Sequence, residues 1–170
     1  DALPEGLESI YLANPSLRRR EITAALLRDL DGRQRPDPLE GLQQALIARY
    51  MSGRRVMLVV DEAHVMPYES LEQIRLLSNL ETGRHKLLQI VLFGQPELDG
   101  VLLDPRMRAL RDRVVERFAL RALDRALVGD YLAHRMRVAG FAGESPFGPG
   151  AVREIWNSAG VLRAPSTQAV

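Results

Sequence analysis

Two short, almost continuous apolar runs, separated by a segment of helical periodicity, constrain the fold of this chain most strongly. The runs are Val56 to Val60 and Leu87 to Phe93, and the helical segment covers about Tyr68 to Leu80. Apolar runs of this length are typical of strands buried on both faces of a parallel sheet. With 170 residues, 46% of them hydrophobic, the chain can bury one ordinary core. The pattern therefore predicts an α/β fold with a doubly wound parallel sheet.

Helices and short strands are predicted on both sides of these runs. A strand is expected over Ser9 to Asn14, and a helix is expected to begin at Ser16 as its N-cap and to end at Asp31-Gly32. The further predicted elements are helices over Leu39 to Tyr50, Glu97 to Leu102 and Pro105 to Arg111, a strand over Val115 to Leu120, and helices over Asp124 to Ala139 and Pro149 to Asn157. Because no strand is evident after Asp124, the end of the chain is predicted to form a small helical lobe, with a frayed polar tail from Ala164.

Two carboxylates, Asp61 and Glu62, follow the first apolar run directly. A strand running into Asp-Glu is the Walker B arrangement, in which the aspartate holds Mg²⁺ and the glutamate polarises the water that attacks the γ-phosphate of ATP. Asp61 is thus the candidate metal and cofactor ligand, and Glu62 is the candidate catalytic base. The alternative is a strand end that merely carries two solvated carboxylates.

Gln95 closes the second apolar run, at the edge of a parallel sheet where ligands bind. We interpret it as a sensor that hydrogen-bonds the γ-phosphate or the attacking water, with a turn residue before Pro96 as the alternative. The residues Asp61 to His64 also spell a helicase box, but the Ser-Ala-Thr expected on the next strand of such helicases is absent. His64 is interpreted as a residue that orients the loop after Glu62.

The phosphate-binding loop itself is missing from these residues. Such a loop needs Gly-Lys followed by Ser or Thr, whereas the only lysine is Lys86, which no glycine precedes. Because the chain begins with Asp1 instead of methionine, we expect the loop to lie in a segment before residue 1.

Arginines crowd the segment before the last predicted core strand. One arginine in this place could stabilise transition-state charge on the nucleotide of a neighbouring subunit. Arg113 is the first candidate, followed by Arg117 and Arg111, and the alternative is a solvated helix face.

Composition excludes several classes of function. A net charge of +1 disfavours nucleic-acid binding driven by bulk charge. The absence of cysteine and the scattered positions of His64, His85 and His134 disfavour a thiolate or imidazole metal site. No run of about 18 to 20 apolar residues and no signal peptide is present, and the lack of cysteine suits a cytosolic protein. We therefore expect a cytoplasmic location, either free or at the cytoplasmic face of the inner membrane through a segment that is not in this chain.

Three segments, Val59 to His64, Leu71 to Thr82 and Leu87 to Leu98, resemble the AAA+ ATPases of general secretion pathway protein A (ExeA-like) and of mannose-sensitive haemagglutinin pilus biogenesis. The resemblance implies a P-loop NTPase core over residues 1–121 that lacks its P-loop strand, and an incomplete helical lid over residues 122–170. It implies ATP and Mg²⁺ as cofactors, a homo-oligomer, and an inner-membrane partner in secretion or pilus assembly.

The resemblance also assigns two arginines. Arg113 matches the family's arginine before the last core strand, and Arg163 lies where the family has a lid arginine that senses nucleotide. In Arg163's motif, Leu162 replaces the proline of the family pattern, and the helix expected afterwards is absent.

Two alternatives to the secretion ATPase follow from the same residues. One is a DNA-transposition ATP-binding regulator, for which nucleic acid would be a partner, or the ATPase of an exopolysaccharide export system. The other is a non-enzymatic interaction module that only binds partners.

Overall fold

The computed structural model describes residues 4–12, 16–32, 35–83, 85–120, 123–159 and 168–169. Three parallel strands form one side of the sheet: β1 (Leu7–Leu12), β2 (Arg55–Val60) and β5 (Leu88–Gly94). β2 lies between the other two, with Leu12 opposite Val60 and Val60 opposite Leu92. The three strands therefore end along one edge of the sheet, and the predicted α/β fold is confirmed.

Three helices lie between these strands in the sequence: α1 (Arg19–Asp31), α2 (Pro38–Met51) and α3 (Tyr68–Leu77). Two more follow β5, namely α4 (Glu97–Leu103) and α5 (Arg108–Arg111), and short 3-10 turns occur at Ala63–Val65 and Pro105–Met107. A small antiparallel hairpin, β3 (Glu81–Thr82) and β4 (His85–Lys86), precedes β5 and was not predicted.

Local sequence signals explain where two helices begin. The carboxylate of Asp37 accepts hydrogen bonds from the backbone N–H groups of Leu39 and Glu40 at 2.9 and 3.2 Å, which caps α2. The prediction of Ser16 as the N-cap of α1 was wrong, because Arg18 holds that position and its N–H donates to the Glu21 carboxylate at 2.7 Å. A glutamate three positions into a helix can thus bond the capping backbone even without a Ser or Thr cap.

The sheet is extended by two strands of two residues each, β6 (Phe118–Ala119) and β7 (Gln168–Ala169). β7 pairs antiparallel with both β6 and the end of β5, so that one strand width separates β5 from β6. The predicted strand over Val115 to Leu120 was too long, and the prediction that no strand follows Asp124 was wrong. Beside β7, residues 88–91 of β5 line an open groove of about 780 Å³.

The described residues form two compact units. The first holds residues up to 119 together with β7, and the second lies within residues 120–166 and contains α6 (Arg125–Val138) and α7 (Pro149–Ala159). Asp124 caps α6 by accepting a hydrogen bond from the N–H of Leu127 at 2.9 Å. None of the helices in the described part of the chain is long and apolar enough to span a membrane.

The core of the first unit lies between the parallel strands β1, β2 and β5 and the helices that cover them. Leu58 of β2 is 0% exposed, and it is joined in one buried cluster by fully covered side chains of α1, α2 and α3: Ile22, Leu26, Leu42, Leu46, Leu71, Ile74 and Leu77. This packing holds β2 rigidly, and β2 carries the two carboxylates at its end.

Replacing Leu58 by alanine should therefore lower the free energy of unfolding by about 2–5 kcal/mol, because the lost methyl groups leave a cavity in a closed core. Denaturant titration followed by circular dichroism measures the change. Leu103→Ala is the matched control: that side chain is 68% exposed, so the effect should stay within about 0.5 kcal/mol. Equal effects of the two substitutions would contradict this description of the core.

Candidate functional site

Asp61 stands directly after β2, and both oxygens of its carboxylate are hydrogen-bonded. Oδ1 accepts from the backbone N–H of Glu62 at 2.9 Å, and Oδ2 accepts from the hydroxyl of Tyr11 at 2.5 Å. Tyr11 belongs to the neighbouring strand β1, where it lies opposite Val59. The two donors, one on β1 and one in the turn that follows β2, fix the orientation of the Asp61 carboxylate.

Glu62 adopts a left-handed backbone conformation, with φ 53° and ψ 35°. Among the described residues it is the only one other than glycine with a positive φ. Such a conformation costs about 1–3 kcal/mol and persists only where the surrounding structure enforces it. The strain turns the chain sharply from β2 into the following 3-10 turn and leaves the Glu62 side chain 53% exposed. The carboxylate is therefore open to water and to a ligand.

His64 connects this turn to the end of β5. Its Nδ1 accepts a hydrogen bond from the backbone N–H of Gln95 at 3.3 Å, and its Nε2 lies 3.6 Å from Oε2 of Glu62. The imidazole is only 10% exposed, so its position is set by the groups around it. Glu62 and Gln95, from two different strand ends, thus contact opposite sides of one ring.

Gly94 permits this close approach. A Cβ atom at this position would lie 3.3 Å from the backbone nitrogen of His64 and 3.0 Å from Cδ2 of Leu98. Contacts this short would push the turn away from β5, because protein interiors leave little room for relaxation. Gly94 is therefore needed for the close packing of the His64 turn against β5, which could not be predicted from the sequence.

The donor set at this edge fits a magnesium ion that is shared with a phosphate ligand. Mg²⁺ in such sites is held by one or two carboxylates and otherwise by waters and phosphate oxygens. Asp61 supplies one oriented carboxylate, and no group of three or more His, Cys, Asp or Glu side chains suited to a metal occurs in the described part of the chain. The site suits a metal that arrives with its ligand better than a metal held by protein alone.

Tyr11 is a site residue that sequence reasoning missed. Its ring is 55% exposed, and its sequence signal, a tyrosine between two buried strand residues, is also that of an ordinary solvent-facing position. The signal that could have found it is the register of two parallel strands, which is not visible in either strand alone. In the structure its hydrogen bond to Asp61 raises the pKa of the phenol, and the charges of Asp61 and Glu62 act in the same direction.

The Tyr11 phenol should therefore ionise at a higher pH than an ordinary tyrosine, and Asp61→Asn should lower its pKa. Because the pKa of Tyr11 is raised in the folded state, its hydrogen bond to Asp61 stabilises the fold at pH values below the ordinary pKa of tyrosine. This stabilisation is lost as the pH rises through the pKa of the folded state. Absorbance titration of the tyrosinate band, with Tyr11→Phe as the blank, measures the shift. An unchanged pKa in Asp61→Asn would show that the hydrogen bond is not formed in solution.

The arginine candidates differ in their contacts. Arg117 forms an ion pair with Asp99, whereas Arg111 and Arg113 make no side-chain hydrogen bond or ion pair among the described residues. Arg113 is exposed and lies close enough to Glu81 to contribute to the lowered pKa of that carboxyl, whose main cause is the hydrogen bond from Lys86.

The structure does not bring Arg113 to the other candidates. It lines the groove beside the first residues of β5, whereas Asp61, Glu62 and Gln95 lie where β2 and β5 end. Arg163 lies outside the described residues.

Comparisons with known proteins agree with these features. Residues 2–102 match the family model of the AAA domain, and this match covers more than half of the chain. General secretion pathway protein A of Aeromonas hydrophila is 40% identical over 144 residues, which cover 81% of this chain and 26% of that protein. No solved structure matches the chain. The chain therefore belongs to the AAA domain family, and the resemblance to general secretion pathway protein A is confirmed.

Proposed function

We propose that this chain is the part of an ATP-hydrolysing AAA domain that binds Mg²⁺ and activates the attacking water, in a bacterial secretion or pilus-assembly protein. One observation carries the proposal: Glu62, which follows Asp61 at the end of β2, and the backbone of Gln95 at the end of β5 both contact His64. Carboxyl ends of neighbouring parallel strands are where α/β proteins bind nucleotides.

Each residue has a role that follows from its contacts. Asp61, already oriented by Tyr11 and by the N–H of Glu62, binds the Mg²⁺ that accompanies ATP. The exposed carboxylate of Glu62 accepts a proton from the attacking water. The exposed amide of Gln95 forms a hydrogen bond to the γ-phosphate or to that water. When bound, Mg²⁺ neutralises charge on the transferring phosphoryl group.

The phosphate-binding half of the site comes from a segment outside these 170 residues. Two observations support this step: no Gly-Lys-Ser or Gly-Lys-Thr occurs in the sequence, and an open groove one strand wide runs along β5. A parallel strand in that groove, continuing into the place that β7 holds beside Phe93 and Gly94, would deliver a following loop to the strand ends where Asp61 and Gln95 lie. The chain spans only 26% of the length of the matching secretion protein, which leaves room for such a segment.

The secretion role is supported by the name of the relative in Aeromonas hydrophila and by the 40% identity to it. We propose that ATP hydrolysis energises or regulates assembly of an envelope complex, with the chain acting in the cytoplasm as a homo-oligomer beside an inner-membrane partner. Residues 122–166 then form part of a helical lid, to which α6 and α7 belong, whereas β7 lies in the sheet of the first unit. Arg163 senses the nucleotide.

The experiment that tests metal binding uses the full-length protein with its phosphate-binding loop. Asp61→Asn should reduce the gain in ATP affinity that Mg²⁺ provides by at least about tenfold, because the substitution removes the charged ligand. Equilibrium binding of a fluorescent ATP analogue, with Mg²⁺ and after chelation with EDTA, measures this gain. Asp29→Asn, on the exposed face of α1, is the matched control and should bind as the unchanged protein does. Equal effects of Mg²⁺ in all three proteins would contradict the role of Asp61.

A further inference from the structure

The His64 ring has a defined hydrogen-bonding state. A backbone N–H can only donate, so the contact between Gln95 and Nδ1 requires that Nδ1 carry no proton. In the neutral ring the proton then resides on Nε2, the nitrogen that faces Oε2 of Glu62. The ring therefore presents an N–H donor to the Glu62 carboxylate while the end of β5 holds its other side.

The distance of 3.6 Å between Nε2 and Oε2 exceeds that of a direct hydrogen bond. The contact is an electrostatic attraction between an N–H dipole and a carboxylate, which a small rotation of the Glu62 side chain tightens or releases. Within the described ranges the Glu62 side chain makes no other hydrogen bond or ion pair, and its backbone is strained. The carboxylate is thus held on one side only, by a ring that cannot move independently of Gln95.

We propose that His64 is a positioning residue that couples the Glu62 carboxylate to the end of β5, so that a displacement of Gln95 on ligand binding moves the catalytic carboxylate. The proposal rests on the proposed ATPase function and names the internal linkage of that site. A shift of the Gln95 backbone acts directly on Nδ1, and Nε2 transmits it to Glu62 because the imidazole is rigid. The near-complete burial of the ring leaves it little freedom to absorb the displacement.

Two substitutions separate the two contacts of the ring. The side-chain oxygen of asparagine stands near the position of Nδ1, so His64→Asn retains the acceptor for Gln95 and loses the group that faces Glu62. The longer side chain of glutamine reaches the position of Nε2, so His64→Gln retains the donor to Glu62 and loses the acceptor for Gln95. His134→Asn, a substitution at an exposed position in the second unit, is the control for loss of an imidazole.

The first readout is spectroscopic and requires no nucleotide. Long-range ¹⁵N–¹H spectra of the full-length protein should show His64 as the Nε2–H tautomer, and Glu62→Gln should shift its Nε2 signal. The Gln95 amide should exchange with solvent faster in His64→Gln than in His64→Asn. An Nδ1–H tautomer, or a His64 signal unchanged by Glu62→Gln, would overturn the coupling.

The second readout is the kinetics of the full-length protein. His64→Asn should lower kcat for ATP on the order of tenfold to a hundredfold with little change in KM, because the base is misplaced while binding is intact. Equal kcat in His64→Asn and the unchanged protein overturns the proposal even where the spectra agree. The ATPase function has a separate test, because it is wrong if the unchanged protein turns over no ATP. In that case the role of His64 in catalysis is wrong as well, whereas the spectra still show whether His64 contacts Glu62 and Gln95.

Discussion

Glu62→Gln in the full-length protein should bind ATP with unchanged affinity and hydrolyse it about a hundredfold to ten-thousandfold more slowly. The amide keeps the size and exposed position of the glutamate but cannot accept the proton of the attacking water. Asp61 remains in place to bind the metal, because its two hydrogen bonds come from the Tyr11 hydroxyl and from the backbone of residue 62. Binding and turnover should therefore separate.

Release of inorganic phosphate measures turnover, and a filter-binding assay with labelled ATP measures affinity. Glu69→Gln is the matched control, since Glu69 is an exposed glutamate in the first turn of α3 and its side chain makes no hydrogen bond among the described residues. If Glu62→Gln hydrolyses ATP at the rate of the control, Glu62 is not the catalytic base and the Walker B interpretation is wrong.

Arg113→Ala should lower ATP turnover of the oligomer on the order of a thousandfold without preventing ATP binding, because the guanidinium is proposed to stabilise transition-state charge in a neighbouring subunit. Two observations favour Arg113 over Arg117: it is exposed without an ion pair in the described part of the chain, and it lies away from the residues at the ends of β2 and β5. Arg117, by contrast, is engaged by Asp99.

Mixing two inactive variants tests whether Arg113 acts between subunits. Oligomers formed from Glu62→Gln and Arg113→Ala subunits should regain turnover, since some interfaces then combine an intact Glu62 with an intact Arg113 of the neighbour. Arg108 is an exposed arginine on α5, and Arg108→Ala serves as the control: this variant should keep the ATP turnover of the unchanged protein. Failure of the mixture to regain activity would show that Arg113 acts within its own subunit or not at all.

The strands β2 and β5 could be predicted because a nearly continuous apolar run leaves a direct trace in the sequence. In β2 the residues Val56, Leu58 and Val60 are buried, whereas Met57 and Val59 on the other face are only partly buried, so the expected burial on both faces was too strong. The short strands β6 and β7 leave no comparable trace, since their pairing depends on the edge that β5 offers at Phe93 and Gly94. Strands of two residues are defined by their neighbours and not by their own composition.

The residues of the site likewise divide into those that the sequence alone reveals and those that only the packing reveals. Asp61, Glu62 and Gln95 could be singled out because polar residues at the ends of apolar strands are unusual and chemically informative. Tyr11 and the contacts of His64 could not, because they depend on register between strands and on the close approach that Gly94 permits. Residues far apart in sequence meet there through packing, which periodicity along a single element does not encode.

Steady-state release of phosphate from ATP by the full-length protein, at saturating Mg²⁺, tests the central claim most directly. The account predicts sustained turnover that disappears on chelation of the metal and in a variant carrying both Asp61→Asn and Glu62→Gln. Turnover by the unchanged protein no greater than that of the double variant would contradict the ATPase function and would leave a partner-binding module in its place.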